Sequence, residues 1–228
     1  MKITPASLFR FLVNRITIIK SFFIYRDVFI IFKAHPRPLP KTKSSLLHKI
    51  TNPKKIHDIY INLERNFSSL DTIIVSRIKH GYTFFALYEK DKIICTTWIS
   101  NHQPRFIDEI AISVDLEDKS IWIRDSFCIP EHRGSRFFSK IIALIIEEYY
   151  PDTTHIYSDT VISNRSSIRA HKCYGFEKQF NIHYTIIFKK FLIRKADKSN
   201  LHLNIFQKNK AIVTIDNNFK RYVADHLA

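Results

Sequence analysis

The stretch from Ile121 to Lys140, IWIRDSFCIPEHRGSRFFSK, constrains the fold more than any other part of the chain. It opens as an alternating run of β-branched and aromatic residues, the signature of a strand, and that run stops at Pro130. A short basic turn carrying Gly134 follows, and then a strongly apolar helix. The chain has only 3 glycines, so each marks a backbone position where a side chain would obstruct. A strand feeding through such a turn into a helix gathers free N–H groups and the positive end of the helix dipole at one point. A phosphate-bearing ligand is therefore expected there.

With 228 residues, 45% of them hydrophobic, the chain can bury one domain core and carry an appendage. The charged fraction of 25% is ordinary and excludes wholesale disorder. The balance within it is unusual, with 36 Lys and Arg against 21 Asp and Glu, a net charge of +15. That excess favours a polyanionic partner such as nucleic acid, an anionic membrane surface or a phosphate-rich cofactor. A codon bias toward Lys, Ile, Phe and Asn would produce the same excess with no partner at all. Cys95, Cys128 and Cys173 are an odd count without a Cys-x-x-Cys spacing, and they read as reduced, packed thiols in a cytosolic protein. No metal site is expected.

The first segment, residues 1–43, reads as a basic amphipathic helix over 5–23, a strand over 24–32 and a Pro-rich connector from Lys33 to Lys43. Arg10, Arg15, Lys20 and Arg26 interrupt its apolar run, which rules out a membrane span and a signal peptide. Packing on the domain's own sheet and lying on a membrane surface both remain open for this helix. The expected location is cytoplasmic, with peripheral contact at the inner membrane face as an option. Residues 44–195 form the core: helices over 53–66 and 69–80, a hairpin of 82–89 and 92–100, and a long loop over 101–119 with a short strand around 109–114. The core then continues through the opening stretch, a strand over 155–161, a helix over 164–174 and two strands over 176–180 and 183–194. Residues 196–228 read as an extension with a hairpin of 201–206 and 211–215 and a last helix. This order predicts an α/β (α+β) fold.

Asn164, Ser167, His171 and Tyr174 are spaced three, four and three, so they share one face of the later helix. A polar stripe there suggests a ligand-facing surface beside the basic turn. Together the two features resemble the GCN5-related N-acetyltransferase (GNAT) superfamily, which transfers an acyl group from acyl-coenzyme A to an amine. Arg133 and Gly134 match the Arg-Gly pair of that family's pyrophosphate loop, and Asn164, Ser167, Gly175 and Phe176 match its second motif. The resemblance is close over residues 119–190. It implies a mixed, mostly antiparallel sheet flanked by helices and acetyl-coenzyme A or another acyl-coenzyme A as co-substrate, without a metal. It also implies a coenzyme A site built from Phe127, Cys128, Ile129, Arg133, Gly134, Ser135, Arg136, Phe137, Phe138, Asn164 and Ser167. The family's two later loop glycines are replaced here by Arg136 and Phe138. Arg136 can still donate from its backbone and pair with a phosphate, or its side chain can block the approach.

Acyl transfer to an amine calls for a general base and a general acid. Resemblance puts the acid at His171, with Tyr174 as its backup, and Asp125 is the candidate base, with an ion pair to a neighbouring cation as the competing role. The expected partners are an acyl-coenzyme A, a small-molecule or glycan amine, and an anionic membrane at the periphery. The alternatives are a degenerate binding module for nucleic acid or membrane, and an acyltransferase acting on tRNA or a ribosomal protein.

Overall fold

A computed structural model describes residues 24–37, 45–65, 70–102, 105–107, 112–134, 136–187, 191–197, 203–205 and 212–214. The expected helices at the two termini, most of the Pro-rich connector and Ser135 lie outside them. The described elements run β1 (Ile24–Ala34), β2 (Ser45–Ile50), α1 (Pro53–Asn62), α2 (Leu70–Lys79), β3 (Thr83–Glu89), β4 (Lys92–Ser100), β5 (Arg105–Ile107) and β6 (Ile112–Val114). They continue through β7 (Ser120–Cys128), α3 (Phe137–Tyr149), β8 (His155–Val161), α4 (Arg165–Tyr174), β9 (Glu177–Ile187), β10 (Phe191–Ala196), β11 (Leu203–Ile205) and β12 (Ile212–Thr214).

The main sheet has nine strands in the order β12-β10-β9-β1-β8-β7-β4-β3-β2. Every described neighbour pair is antiparallel except β7 and β8, so the sheet is the mixed, mostly antiparallel one expected. That single parallel pair follows from the intervening α3, because a parallel neighbour needs a long crossover. The early strand β1 sits in the middle, paired with β8 on one side and β9 on the other. Two cores cover the two faces. Ile56, Ile59 and Tyr60 of α1 and Leu70 and Ile74 of α2 join Trp98, Trp122 and Tyr157 on one face. Ile141, Ile142 and Ile145 of α3 and Tyr174 of α4 join Ile121, Ile123 and Ile156 on the other. The alternation of Ile121, Trp122 and Ile123 between these cores is the period-2 pattern of a strand buried on both faces.

Three elements differ from their sequence patterns. The edge strand β2 has no counterpart among the expected strands, since its SLLHKI segment leaves Leu46 65% exposed and lacks a clean alternation. The expected pair of strands at 176–180 and 183–194 is instead β9 and β10, with β9 running unbroken through Asn181 and Ile182. A register shift between Ile31 and Phe32 absorbs the irregularity by pairing Phe180 and Lys178 with successive residues of β1. The expected C-terminal hairpin does not form among the described residues. Its two strands part, β12 pairing with β10 and β11 with β6.

Gly175 closes α4 with φ 99°, and its N–H donates to the carbonyls of His171 (3.1 Å) and Lys172 (3.0 Å). A Cβ there would also meet the Arg37 guanidinium, which lies over the Tyr174 ring. Gly175→Ala is expected to destabilise the fold by about 1–2 kcal/mol from left-handed strain. A lowered midpoint with unchanged slope in urea unfolding is the readout.

Candidate functional site

The parallel ladder of β7 and β8 is short. It pairs Ser120 with His155 and ends where Ile123 meets Ser158. Both strands continue beyond that point with other partners, β7 along β4 to Cys128 and β8 along β1 to Val161. Their C-terminal halves therefore part into a wedge whose apex is at Ile123 and Ser158. Openings at the carboxyl ends of parallel strands are where open α/β sheets take ligands.

A bulge shapes one wall of the wedge. Trp98 pairs with Arg124 and Thr96 with Phe127, so Asp125 and Ser126 together face Thr97. Asp125 takes a left-handed φ of 48°, and the Thr97 and Ser126 hydroxyls meet at 2.7 Å. This kink aims Asp125 at α1 and α2. Its carboxylate accepts from Tyr60 Oη (2.6 Å), Arg65 Nη2 (2.5 Å) and Arg77 Nη1 (2.6 Å). Tyr60 Oη in turn accepts from Trp98 Nε1 at 2.8 Å and Arg77 Nη1 at 3.1 Å. Burial alone would raise the Asp125 carboxyl, but Arg65 and Arg77 overcome it and hold the group far below the usual carboxylate range. Tyr60 is pushed up to about 12 by burial and by Asp125. Asp125 is thus a locked counter-ion to two arginines and a very weak base, which corrects the base role expected of it.

The turn after β7 leads to the N-terminus of α3. Arg133 folds back, its Nε donating to the Cys128 carbonyl at 3.1 Å, with its guanidinium 5.6 Å from the Phe127 ring centre. Gly134 has φ 80° and open space around it. Arg136 is the N-cap of α3, with φ 64° and ψ 11° and no side-chain hydrogen bond. A residue with a Cβ therefore holds the left-handed geometry that glycine adopts freely. The first turn of α3 contains no acidic residue. Phe138 packs inward, 6.3 Å from Tyr174 and 5.7 Å from His171 ring to ring.

The polar stripe of α4 turns inward as it descends. Asn164 is exposed and caps the helix, its Oδ1 accepting from Ser167 N (3.1 Å) and Ser166 Oγ (2.8 Å). His171 is only 4% exposed and stacks on Phe32 at 4.9 Å. Its Nδ1 donates to the Ser167 carbonyl (2.7 Å), which leaves Nε2 to accept from the Ser158 hydroxyl (2.8 Å). Burial pushes its pKa below the ordinary imidazole value, and the Ser167 carbonyl offsets part of that. His171 is a neutral, doubly hydrogen-bonded core residue, which corrects the general-acid role expected of it. The Tyr174 hydroxyl is buried and makes no hydrogen bond of ordinary geometry. Burial raises its pKa, and the nearby Arg37 amide and guanidinium pull it down. It is the donor left over near α3.

Cys95 and Cys128 stand opposite each other across β4 and β7 with Cα atoms 4.1 Å apart and form a disulfide. This corrects the expectation of three reduced thiols; Cys173 alone is free, and it is exposed. Sequence separation hid the pair, because only the strand register brings the two residues face to face. The Tyr60, Arg65 and Arg77 cluster was hidden for the same reason. So were Ser158 and Asp159, which stand at the apex of the wedge on opposite faces of β8.

Asp125→Asn leaves two arginines short of their counter-charge and is expected to cost about 3 kcal/mol at neutral pH. The wild-type carboxyl titrates lower in the folded than in the unfolded chain. Its stabilisation is therefore full above the unfolded value of ~3.9 and fades as pH falls below it. Thermal melts from pH 7 down to pH 2 should show the wild-type lead over the variant shrinking in acid.

No protein-family model matches the sequence, and no curated protein matches it. Among solved structures, the chain is similar to a conserved protein of unknown function from Staphylococcus epidermidis, with 11% identity and a TM-score of 0.52, over 81% of this chain and 67% of that one. It is also similar to a putative GNAT-family acetyltransferase from Novosphingobium aromaticivorans, with 13% identity and a TM-score of 0.44, over 71% of this chain and 63% of that one. A predicted acetyltransferase from Clostridium acetobutylicum, solved with acetyl-coenzyme A, matches at 17% identity and a TM-score of 0.40, over 58% and 90%. The likeness is one of fold: the chain shares the fold of the Staphylococcus epidermidis protein.

Proposed function

We propose that this protein is an acyl-coenzyme A-dependent N-acyltransferase that uses acetyl-coenzyme A and acts on a primary amine. The observation that carries the reading is the parting of β7 from β8 with the uncapped N-terminus of α3 beside it. A strand edge without a sheet partner can hydrogen-bond an extended amide-bearing arm, and unpaired helix N–H groups with an aligned dipole suit a pyrophosphate. The residues present fit such a ligand. Arg136 keeps the backbone path of a glycine while its side chain points outward and is exposed.

Bound acetyl-coenzyme A would supply the acyl thioester. Backbone groups of Phe127, Cys128 and Ile129 would lie along the pantetheine arm, while the amides of Gly134, Arg136, Phe137 and Phe138 would face the pyrophosphate. The Arg136 guanidinium would add a charge-assisted hydrogen bond to a phosphate. Tyr174, which packs against Phe138 at the start of α3, is the proton donor this reading favours for the leaving thiolate. Asn164 and Ser167 act on the site through the α4 cap. The net charge of +15 favours an acceptor that carries an anionic group, as a small molecule, a glycan intermediate or a species at an anionic membrane.

Isothermal titration with acetyl-coenzyme A is expected to show binding in the micromolar range, and heatless injections at high micromolar protein would overturn the reading. Arg136→Gly should weaken that binding several-fold through the lost phosphate contact, while relief of left-handed strain raises the melting temperature. Thiol release in a screen of sugar-nucleotide, polyamine, peptide and aminoacyl-tRNA acceptors identifies the amine.

A further inference from the structure

The wedge has two faces, and the residues at its apex divide between them. Ser158 is the last residue of β8 to pair with β7, and its side chain turns to the face of α3 and α4, where its hydroxyl meets His171. Asp159 is the next residue along and turns to the opposite face, the one covered by α1 and α2. There its Oδ1 accepts from Trp122 Nε1 at 2.9 Å, and Trp122 stacks on Tyr157 at 6.1 Å and 9°. The two carboxylates on this face of the wedge are held very differently. Asp125 is clamped by Arg65, Arg77 and Tyr60. Asp159 is half-buried and held through one oxygen by a neutral indole, and it forms no ion pair among the described residues. A coenzyme A whose pyrophosphate lies at the N-terminus of α3 reaches the apex from the α3 face. An amine must then approach the thioester from the other side of the sheet, where Asp159 stands.

We propose that Asp159 is the catalytic base of this protein, accepting the proton of the attacking amine at Oδ2 while Trp122 fixes Oδ1. The assignment rests on the acyltransferase reading. As the amine nitrogen bonds to the thioester carbon, the carbonyl electron pair moves to oxygen, and the N–H proton passes to the Asp159 carboxylate. The pair then returns, the C–S bond breaks, and the coenzyme A thiolate leaves and takes up a proton. Asp125, with Arg65 and Arg77, lines the same approach as a fixed charged wall. The charged and titratable groups on the face of Asp159 are Tyr157, two residues back, and Asp125 with Arg65, Arg77 and Tyr60 across the wedge, while His171 lies across the sheet on α4. Its cross-strand neighbours Ile31 and Trp122 do not titrate.

The test compares wild type, Asp159→Asn and Asp159→Glu. Thiol release from acetyl-coenzyme A is followed with ethylamine and with water as acceptors from pH 5 to 9, beside titration with acetyl-coenzyme A and thermal melts. Expected is unchanged acetyl-coenzyme A affinity and folding in D159N, and a rate with ethylamine lower by ~100-fold or more at every pH of the series. D159E should recover part of the rate. Equal rates in wild type and D159N wherever both bind acetyl-coenzyme A, including both at the uncatalysed rate, overturn the assignment and leave the coenzyme A reading standing. Failure of both proteins to bind acetyl-coenzyme A removes the acyltransferase reading itself, and the assignment falls with it.

Discussion

The end of one hydrogen-bonded ladder organises this molecule. In a sheet otherwise antiparallel, β7 and β8 run side by side only as far as Ile123 and Ser158, and each then follows its outer neighbour. A parallel pair is joined by a crossover, so α3 must start at the carboxyl end of β7, the same end at which the strands separate. Unpaired strand edge and helix N-terminus are thereby brought together by chain connectivity. Backbone groups left without partners are costly when buried, and a ligand or water must satisfy them. The wedge is therefore a polar opening in an otherwise apolar interior, with Trp122, Ile121 and Ile156 packed at its root.

Around that opening the protein distributes charge unevenly. Two arginines share the Asp125 carboxylate on the α1 and α2 side, with the Arg65 guanidinium 4.7 Å from the ring centres of both Tyr60 and Phe127. Such a buried cluster adds little net stability compared with an apolar core, but it holds side chains in one arrangement because each loses its partner if another moves. On the other face the groups beside Ser158 are neutral. His171 bridges Ser158 and Ser167 among phenylalanine rings, and Tyr174 packs beneath the start of α3. The sheet thus separates a side fixed by ion pairs from one fixed by neutral hydrogen bonds and aromatic packing.

Arg136 meets a backbone requirement that glycine meets at lower cost. The chain has to reverse into α3 through a left-handed residue, and Arg136 does so at φ 64°. Left-handed geometry is costly with a Cβ but not forbidden, and the open surroundings of Gly134 leave room for the turn. Gly175 differs because both its φ of 99° and the approach of Arg37 demand the absence of a side chain.

Much of the architecture was legible in local pattern. The alternating run before Pro130 marked β7 and the hairpin pattern marked β3 and β4, while Asn164, Gly175 and the apolar run after Arg136 marked the helices. Residues 196–228 showed less, because short strands take their partners from distant segments: β12 joined β10 and β11 joined β6. The roles of single residues in the site were the least legible. The spacing of Asn164, Ser167, His171 and Tyr174 put them on one face, yet spacing says nothing about what that face meets, and it met the phenylalanines of the core. Local sequence determined which segments became strands and helices and where the chain turned, because propensity and hydrophobic period act between near neighbours. Only tertiary structure decided that Asp125 meets two arginines, that Cys95 meets Cys128, and that Ser158 and Asp159 stand where the strands part. Those outcomes depend on register and on one bulge, and both are set by contacts between residues far apart in the chain.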